Sequence, residues 1–320
     1  MADEQSRGGA GGRLGRIALP APIQNALTWW LARWAAMSPN ARGAILVSSG
    51  SLTLVFMAAL VKHLGQRIPA LEILFFRSFI GFLLVLPAFL SDPMEPFRTK
   101  RQGMHFWRGA ASVLGNFCFF WSITHMLLAD AMALQFSRPL FMIPLAILLL
   151  GEVAGARRIA VTIVGFLGIL LYARPFSAGF DPGVFIAATG AFGGALVVFC
   201  IKRLATTEPT RVIMFYYAFW NIVAASIPAW LWWVTPTWSE LALLIMVGAL
   251  GIGGQSLITH GFRFGDTTAL VPLDYSRIVY SAIIAYLIFG EVPGLWSFAG
   301  MTLIVGASLY LVLNEEKKGQ

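Results

Sequence analysis

Residues 134–152 read LQFSRPLFMIPLAILLLGE, and residues 273–291 read LDYSRIVYSAIIAYLIFGE. Seven of the nineteen positions are identical without a gap, among them Ser137-Arg138 against Ser276-Arg277 and Gly151-Glu152 against Gly290-Glu291. Echoes flank this block in the same order. Val61-Lys62-His63-Leu64 answers Ile201-Lys202-Arg203-Leu204, Ile123-Thr124-His125 answers Ile258-Thr259-His260, and Asp130-Ala131-Met132-Ala133-Leu134 answers Asp266-Thr267-Thr268-Ala269-Leu270. The offset stays between 135 and 140 residues. Chance likeness between leucine-rich helices does not keep polar residues in register, so the chain reads as two copies of one unit.

Working outward, the copies lie in a chain of 320 residues that is 58% hydrophobic and 12% charged, where soluble domains run near a quarter charged. Apolar runs of the ~20 residues needed to cross a ~30 Å hydrocarbon core follow one another from Gly43 onward. They are continuous rather than alternating with period two, which excludes a membrane β-barrel. Helices are predicted near 43–64, 70–90, 104–126, 130–150, 157–173, 182–203, 210–233, 240–261, 267–290 and 294–313. The connections carry proline, glycine or charge, as at Arg174-Pro175 and Asp181-Pro182.

Five helices per copy is an odd number, so the copies enter the membrane in opposite directions. The loops agree: Arg157 and Arg158 follow Gly151-Glu152, whereas no base follows directly on Gly290-Glu291. With the N-terminus inside, sixteen Lys and Arg residues fall in inner segments and three (Lys62, Arg67, Arg174) in outer ones. That bias puts both termini in the cytoplasm. The expected fold is all-α and integral to the membrane, with about ten transmembrane helices as two inverted five-helix repeats around a central cavity. Residues 43–175 and 176–313 form the repeats. Residues 1–42 are expected to form a disordered cytoplasmic tail, in which 23–37, with Trp29, Trp30, Arg33 and Trp34, reads either as an interfacial helix or as a linker with incidental tryptophans. Residues 314–320 form a cytoplasmic C-terminal tail. No compact n-region and cleavage site of a signal peptide precede the first apolar run.

The net charge of +8 is an orientation signal, because the bases lie between apolar runs; the partner it implies is a lipid bilayer and not nucleic acid. Cys118 and Cys200 both sit inside apolar runs and build neither a disulfide framework nor a metal site. No cofactor or metal is expected.

The chain resembles the drug/metabolite transporter superfamily, specifically its EamA type. The resemblance is carried by the two Gly-Glu helix ends leading into small-residue helices (Gly165-Phe166-Leu167-Gly168; Gly300 and Gly306) and by Phe75-Phe76-Arg77-Ser78. It covers residues 43–313. It implies a ten-helix basket around a central cavity in a bacterial inner (plasma) membrane, moving a small metabolite of amino-acid, vitamin or nucleoside type. Alternating access follows from the inverted repeat, with protons a candidate coupling ion. Channel and receptor are the next readings. A channel would favour polar rings repeated by oligomeric symmetry. An intramembrane enzyme would need a nucleophile–base pair or a metal motif, and neither is present.

An ionisable group at the bilayer centre costs at least ~2.5–3.5 kcal/mol, so each one is a functional hypothesis. Arg138 lies eight residues past Asp130, ~12 Å deep, and Arg277 eleven past Asp266, ~16 Å deep. Both either hold an anionic group of a substrate or clamp helices through a carboxylate. Asp274 sits three residues before Arg277, where the first copy has Gln135. It either carries a proton or a substrate amine, or neutralises Arg277. Ser137, Tyr275, Ser276, Asn116, Gln255, Trp121 and Tyr280 are polar enough to line the cavity. Glu72, Arg77, Glu152 and Glu291 read as gating or structural groups near helix ends.

Overall fold

The computed structural model describes residues 33–34, 36–90, 92–150, 155–174, 181–204, 207–264, 270 and 273–316. Their regular structure is helical throughout, with no strand among them. The predicted helix at 23–37 falls almost wholly outside the described residues, as do Glu152 and Asp266.

Among the described residues eleven α-helices follow in order: α1 (Pro39–Leu64), α2 (Ala70–Val85), α3 (Gln102–His125), α4 (Leu128–Gln135), α5 (Arg138–Leu150), α6 (Ala156–Ala173), α7 (Gly183–Leu204), α8 (Thr210–Leu231), α9 (Trp238–Phe264), α10 (Ser276–Phe289) and α11 (Leu295–Glu316). Local chemistry sets their ends. Ser38 caps α1, its hydroxyl accepting from the Ala41 N–H at 3.2 Å, with Pro39 in the first turn, where its missing N–H costs nothing. The predicted 70–90 helix stops at Val85: Leu86 keeps helical backbone, but Pro87 has no N–H to continue the ladder, and the chain goes on as a 3₁₀ turn over Leu86–Phe89. Gly290, at φ 65°, ends α10 with a Schellman pair: its own N–H donates to Tyr286 and that of Glu291 to Ala285.

Helices pair antiparallel through glycine. Gly50 of α1 faces Gly254 of α9 so closely that a Cβ on Gly50 would lie 2.7 Å from the Gly254 carbonyl. Gly190 of α7 faces Gly115 of α3 at the matching place but less tightly, with the Gly115 carbonyl 3.4 Å from a Cβ on Gly190, and the close approach falls at Gly193, whose Cβ would lie 2.8 Å from the Gly115 nitrogen. Gly190 and Gly254 stand 140 and 139 residues after Gly50 and Gly115. The α1–α9 contact is therefore the α3–α7 contact repeated with the copies exchanged. The other two extensive packings, α2 on α8 and α6 on α11, each join a helix to its own counterpart. Small residues let helices approach closely where no hydrophobic force separates them from lipid.

Among the described residues five helical stretches are long and apolar enough to cross a membrane: Pro39–Leu64, Leu128–Leu149, Gly183–Ile201, Arg211–Leu231 and Trp238–Phe264. Three more, Ile159–Ala173, Ser276–Phe289 and Leu295–Tyr310, are apolar but shorter.

The predicted 130–150 helix is not continuous. It breaks at Phe136-Ser137 into α4 and α5, and the ladder tightens to bonds of 3₁₀ type, Ser137 N–H to Leu134 and Leu140 N–H to Ser137. Pro139 contributes by lacking a donor. The second copy turns at Tyr275, before Ser276, with Ile278 N–H donating to Tyr275. There Ile278 stands where Pro139 would align, so proline is not the only cause.

Candidate functional site

The two breaks carry the Ser-Arg steps. At the second, Arg277 Nε donates to Asp274 Oδ1 at 3.0 Å, and a second guanidinium nitrogen pairs with the same oxygen. Ser51 of α1 donates to that oxygen at 3.1 Å. The Arg277 guanidinium lies 5.7 Å over the Phe136 ring, and Phe136 packs on Tyr275 with centroids 4.4 Å apart. The two breaks therefore touch.

Arg138 differs from its twin. Its Nε is buried, and no hydrogen bond or ion pair reaches its guanidinium among the described residues. Gly194 of α7 makes room for it, since a Cβ there would fall 2.5 Å from Arg138 Nε. Arg277, Asp274, Tyr217 and Tyr275 lie within electrostatic reach.

Tyr217 leads from Arg138 into a polar network. Its hydroxyl accepts from Arg77 Nη1 at 3.2 Å and from Asn116 Nδ2 at 3.0 Å. Asn116 also donates to Asn221 Oδ1 at 3.0 Å, and Asn221 donates to Ser112 Oγ at 2.9 Å. Arg108 sits 5.2 Å over the Tyr217 ring and donates to the Ile213 carbonyl at 3.0 Å. Arg77, Arg108 and Arg138 thus converge on Tyr217, and Arg138 also reaches Tyr275, whose neighbour Asp274 holds Arg277.

A second charged cluster lies at one end of the bundle, around a cavity of about 510 Å³. Lys62, His125, Asp130, Tyr172, Arg174, Asp181, Glu291, Trp296 and Ser297 contribute to its lining. Gly290 turns the chain so that Glu291 ion-pairs with Lys62 at the end of α1 and accepts the Leu128 N–H of α4 at 2.8 Å. Lys62 also donates to the Met126 carbonyl at 2.5 Å. One carboxylate therefore clasps α1, the α3–α4 junction and the end of α10.

A profile of the EamA-like transporter family matches residues 41–174 and, separately, residues 181–313. The chain belongs to the EamA-like transporter family. It is similar to the S-adenosylmethionine uptake transporter of Rickettsia bellii, at 32% identity over 80% of this chain and 88% of that one. The pseudopaline exporter of Pseudomonas aeruginosa is 33% identical over 87% of this chain and 97% of its own. The riboflavin transporter of Brucella anthropi is 28% identical over 78% and 89% respectively. A solved crystal structure at 21% identity, with a TM-score of 0.56 over 85% of this chain and 97% of that one, shares the fold. As an EamA-like protein the chain is a multi-pass membrane transporter of small molecules rather than an enzyme.

Within this EamA-like chain the expected site residues divide. Arg138, Arg277, Asp274 and Tyr275 come together, and Asn116 joins them through Tyr217. Tyr280 bonds Ser48 of α1 at 2.5 Å. Gln135 directly precedes the first break. Gln255 is exposed one turn beyond Gly251, whose Cβ position lies 3.2 Å from Arg77 Nε. Ser137 is fully buried and returns its hydroxyl to the Leu134 carbonyl at 2.7 Å, and Ser276 Oγ is buried with no hydrogen-bond partner among the described residues. Trp121 stacks on His125 at 4.2 Å and lines a separate, mainly apolar cavity of about 350 Å³ with Phe117 and Phe185. It is not brought to the arginines. Glu72 is fully buried and accepts the Val234 N–H at 3.0 Å, while Arg77 turns to Tyr217. Tyr217, Asn221, Arg108 and the Lys62–Glu291 clasp were not singled out from sequence. The sole asparagine in α8 was the available signal, four residues past Tyr217 on the same face.

Proposed function

We propose that this chain is a secondary carrier that moves a small polar metabolite bearing an anionic group, by alternating access of a site at the broken helices. The observation that carries the reading is Arg138, a guanidinium with no partner among the described residues, held at a helix break beside a twin that already has a carboxylate. An unpaired cation within a membrane span costs several kcal/mol, and a substrate carboxylate or phosphate that accepts its planar fork would offset that cost. Discontinuous helices at matching places in the two halves are the arrangement carriers use for such sites. Tyr217 and Asn116 supply hydroxyl and amide groups for the rest of the substrate. We assign Asp274 to neutralising Arg277.

The inverted arrangement, with about ten crossings and both termini cytoplasmic, is supported by the exchanged glycine contacts and the distribution of bases. Kinship with one uptake system and one exporter fits a carrier whose direction is set by gradients. The test is counterflow in proteoliposomes, with S-adenosylmethionine, riboflavin and carboxylate-bearing amino acids as trial substrates. Saturable uptake stimulated by substrate on the far side, and lost in Arg138→Ala, is expected. Linear flux, or saturable exchange untouched by Arg138→Ala, contradicts the reading.

A further inference from the structure

Asp130 is two residues into α4 from the N–H that Glu291 holds, and it takes no part in the site proposed above. It is 1% exposed, although it contributes to the wall of the 510 Å³ cavity. Its Oδ2 accepts from the Tyr172 hydroxyl at 2.5 Å, and its Oδ1 is buried with no partner among the described residues. Every charged neighbour is committed elsewhere. Lys62 is engaged by Glu291 and the Met126 carbonyl. Arg174 lies 5.3 Å over the Trp296 ring, and His125 Nδ1 is bonded to the Trp121 carbonyl at 2.9 Å. The remaining charged groups facing it, Glu291 and Asp181, are themselves acids. A buried carboxylate with one unused oxygen, no bonded cation and two acidic neighbours is completed by a proton and by little else.

We propose that Asp130 is the proton-binding site of the carrier, and that a proton bound there holds the Lys62–Glu291 clasp shut. The inference rests on the alternating-access reading. When Asp130 is neutral its repulsion from Glu291 vanishes, so Glu291 can stay on Lys62 and the Leu128 N–H. When the clasp parts, water from the cavity reaches Asp130 and takes its proton, and the new charge opposes the return of Glu291. The clasp lies on the way in: along α1, Lys62 is eleven residues, ~16 Å, from Ser51 at the Asp274–Arg277 pair. One proton bound and released per cycle at this point would couple opening to the proton gradient.

The test reads the clasp and needs no substrate. Spin labels are placed on Gln66→Cys and Gly294→Cys, both exposed, with Cys118 and Cys200 replaced by Ala, and distances are measured in proteoliposomes across an acid-to-alkaline series. The labels should lie close in acid and separate as pH rises. Asp130→Asn, a neutral isostere, should keep them close throughout, and Asp130→Glu should restore the response. An Asp130→Asn protein that separates with pH as wild type does overturns the proposal. So does loss of the response in His125→Ala with Asp130 intact. Arg138→Ala should abolish transport and leave the pH response in place, which separates failure of the substrate reading from failure of this one.

Discussion

Arg138 and Arg277 descend from the same Ser-Arg step, yet their surroundings have diverged. Arg277 is held by Asp274 one helical turn back, while the matching position in the first half is Gln135, which cannot supply a charge. This difference predicts different mutational behaviour. Truncating Arg138 should weaken substrate binding by ~2–5 kcal/mol, the usual cost of removing one partner from a desolvated charge contact. Arg138→Lys should recover little, because a point charge does not replace the fork. Loss of Arg277 alone instead strands Asp274 and should show as poor folding, relieved when Asp274→Asn is added. Gly194 gives an independent handle on the same cation. A Cβ there collides with the movable end of the Arg138 side chain and not with backbone. Gly194→Ala should therefore leave the melting temperature near wild type while changing substrate affinity, read by ligand-induced thermal shift. An unchanged affinity would mean that Arg138 does not meet the substrate. The arginines were legible in sequence because a charge inside an apolar run is costly. Tyr217 was not, since a tyrosine in a membrane helix ordinarily reads as packing or interface belt.

At the scale of elements, the helices follow the apolar runs closely, and the misses have local causes. Pro87 shortens α2, and the break before Arg138 depends on backbone bonds of 3₁₀ type that apolarity does not report. The clasp was illegible for another reason: Lys62 and Glu291 meet only after the whole chain has folded. What the sequence did contain was the small-residue pattern of α9, and the structure sorts its glycines by role. Gly254 presses on α1, where a Cβ would lie 2.9 Å from Leu54 and 3.1 Å from the Gly50 carbonyl. Its neighbour Gly253 has nothing within 4 Å of that position. Gly254→Ala should destabilise by ~1–3 kcal/mol through overpacking. Gly253→Ala should be neutral or stabilise by up to ~1 kcal/mol through helix propensity. Thermal unfolding in detergent distinguishes them, and equal shifts would contradict the α1–α9 contact. Exposed aliphatic residues such as Leu148 and Leu287 suit a lipid-facing surface.

For the whole molecule, the exchanged contacts mean that one packing geometry is used twice, with the halves in reversed roles. A site at the junction of two such halves can be offered to either side with small differences in packing, which is the physical content of alternating access. The repeat itself was plain in the sequence, because polar residues recur in register. Which residues meet across the halves was not, since the repeat fixes correspondence and leaves contact undetermined. Gln135 ends α4 directly before the first break, three residues from Arg138, and is partly exposed, so it is placed to report on access to the proposed site. The decisive measurement places a single cysteine at Gln135, with Cys118 and Cys200 replaced by Ala, and follows its reaction with a membrane-impermeant thiol reagent added to one side of sealed vesicles at a time. An alternating carrier predicts labelling from either side while the vesicles stay tight to ions, with conditions that speed reaction from one side slowing it from the other. Labelling confined to one side, or labelling from both sides that rises together with ion leak, would contradict the account.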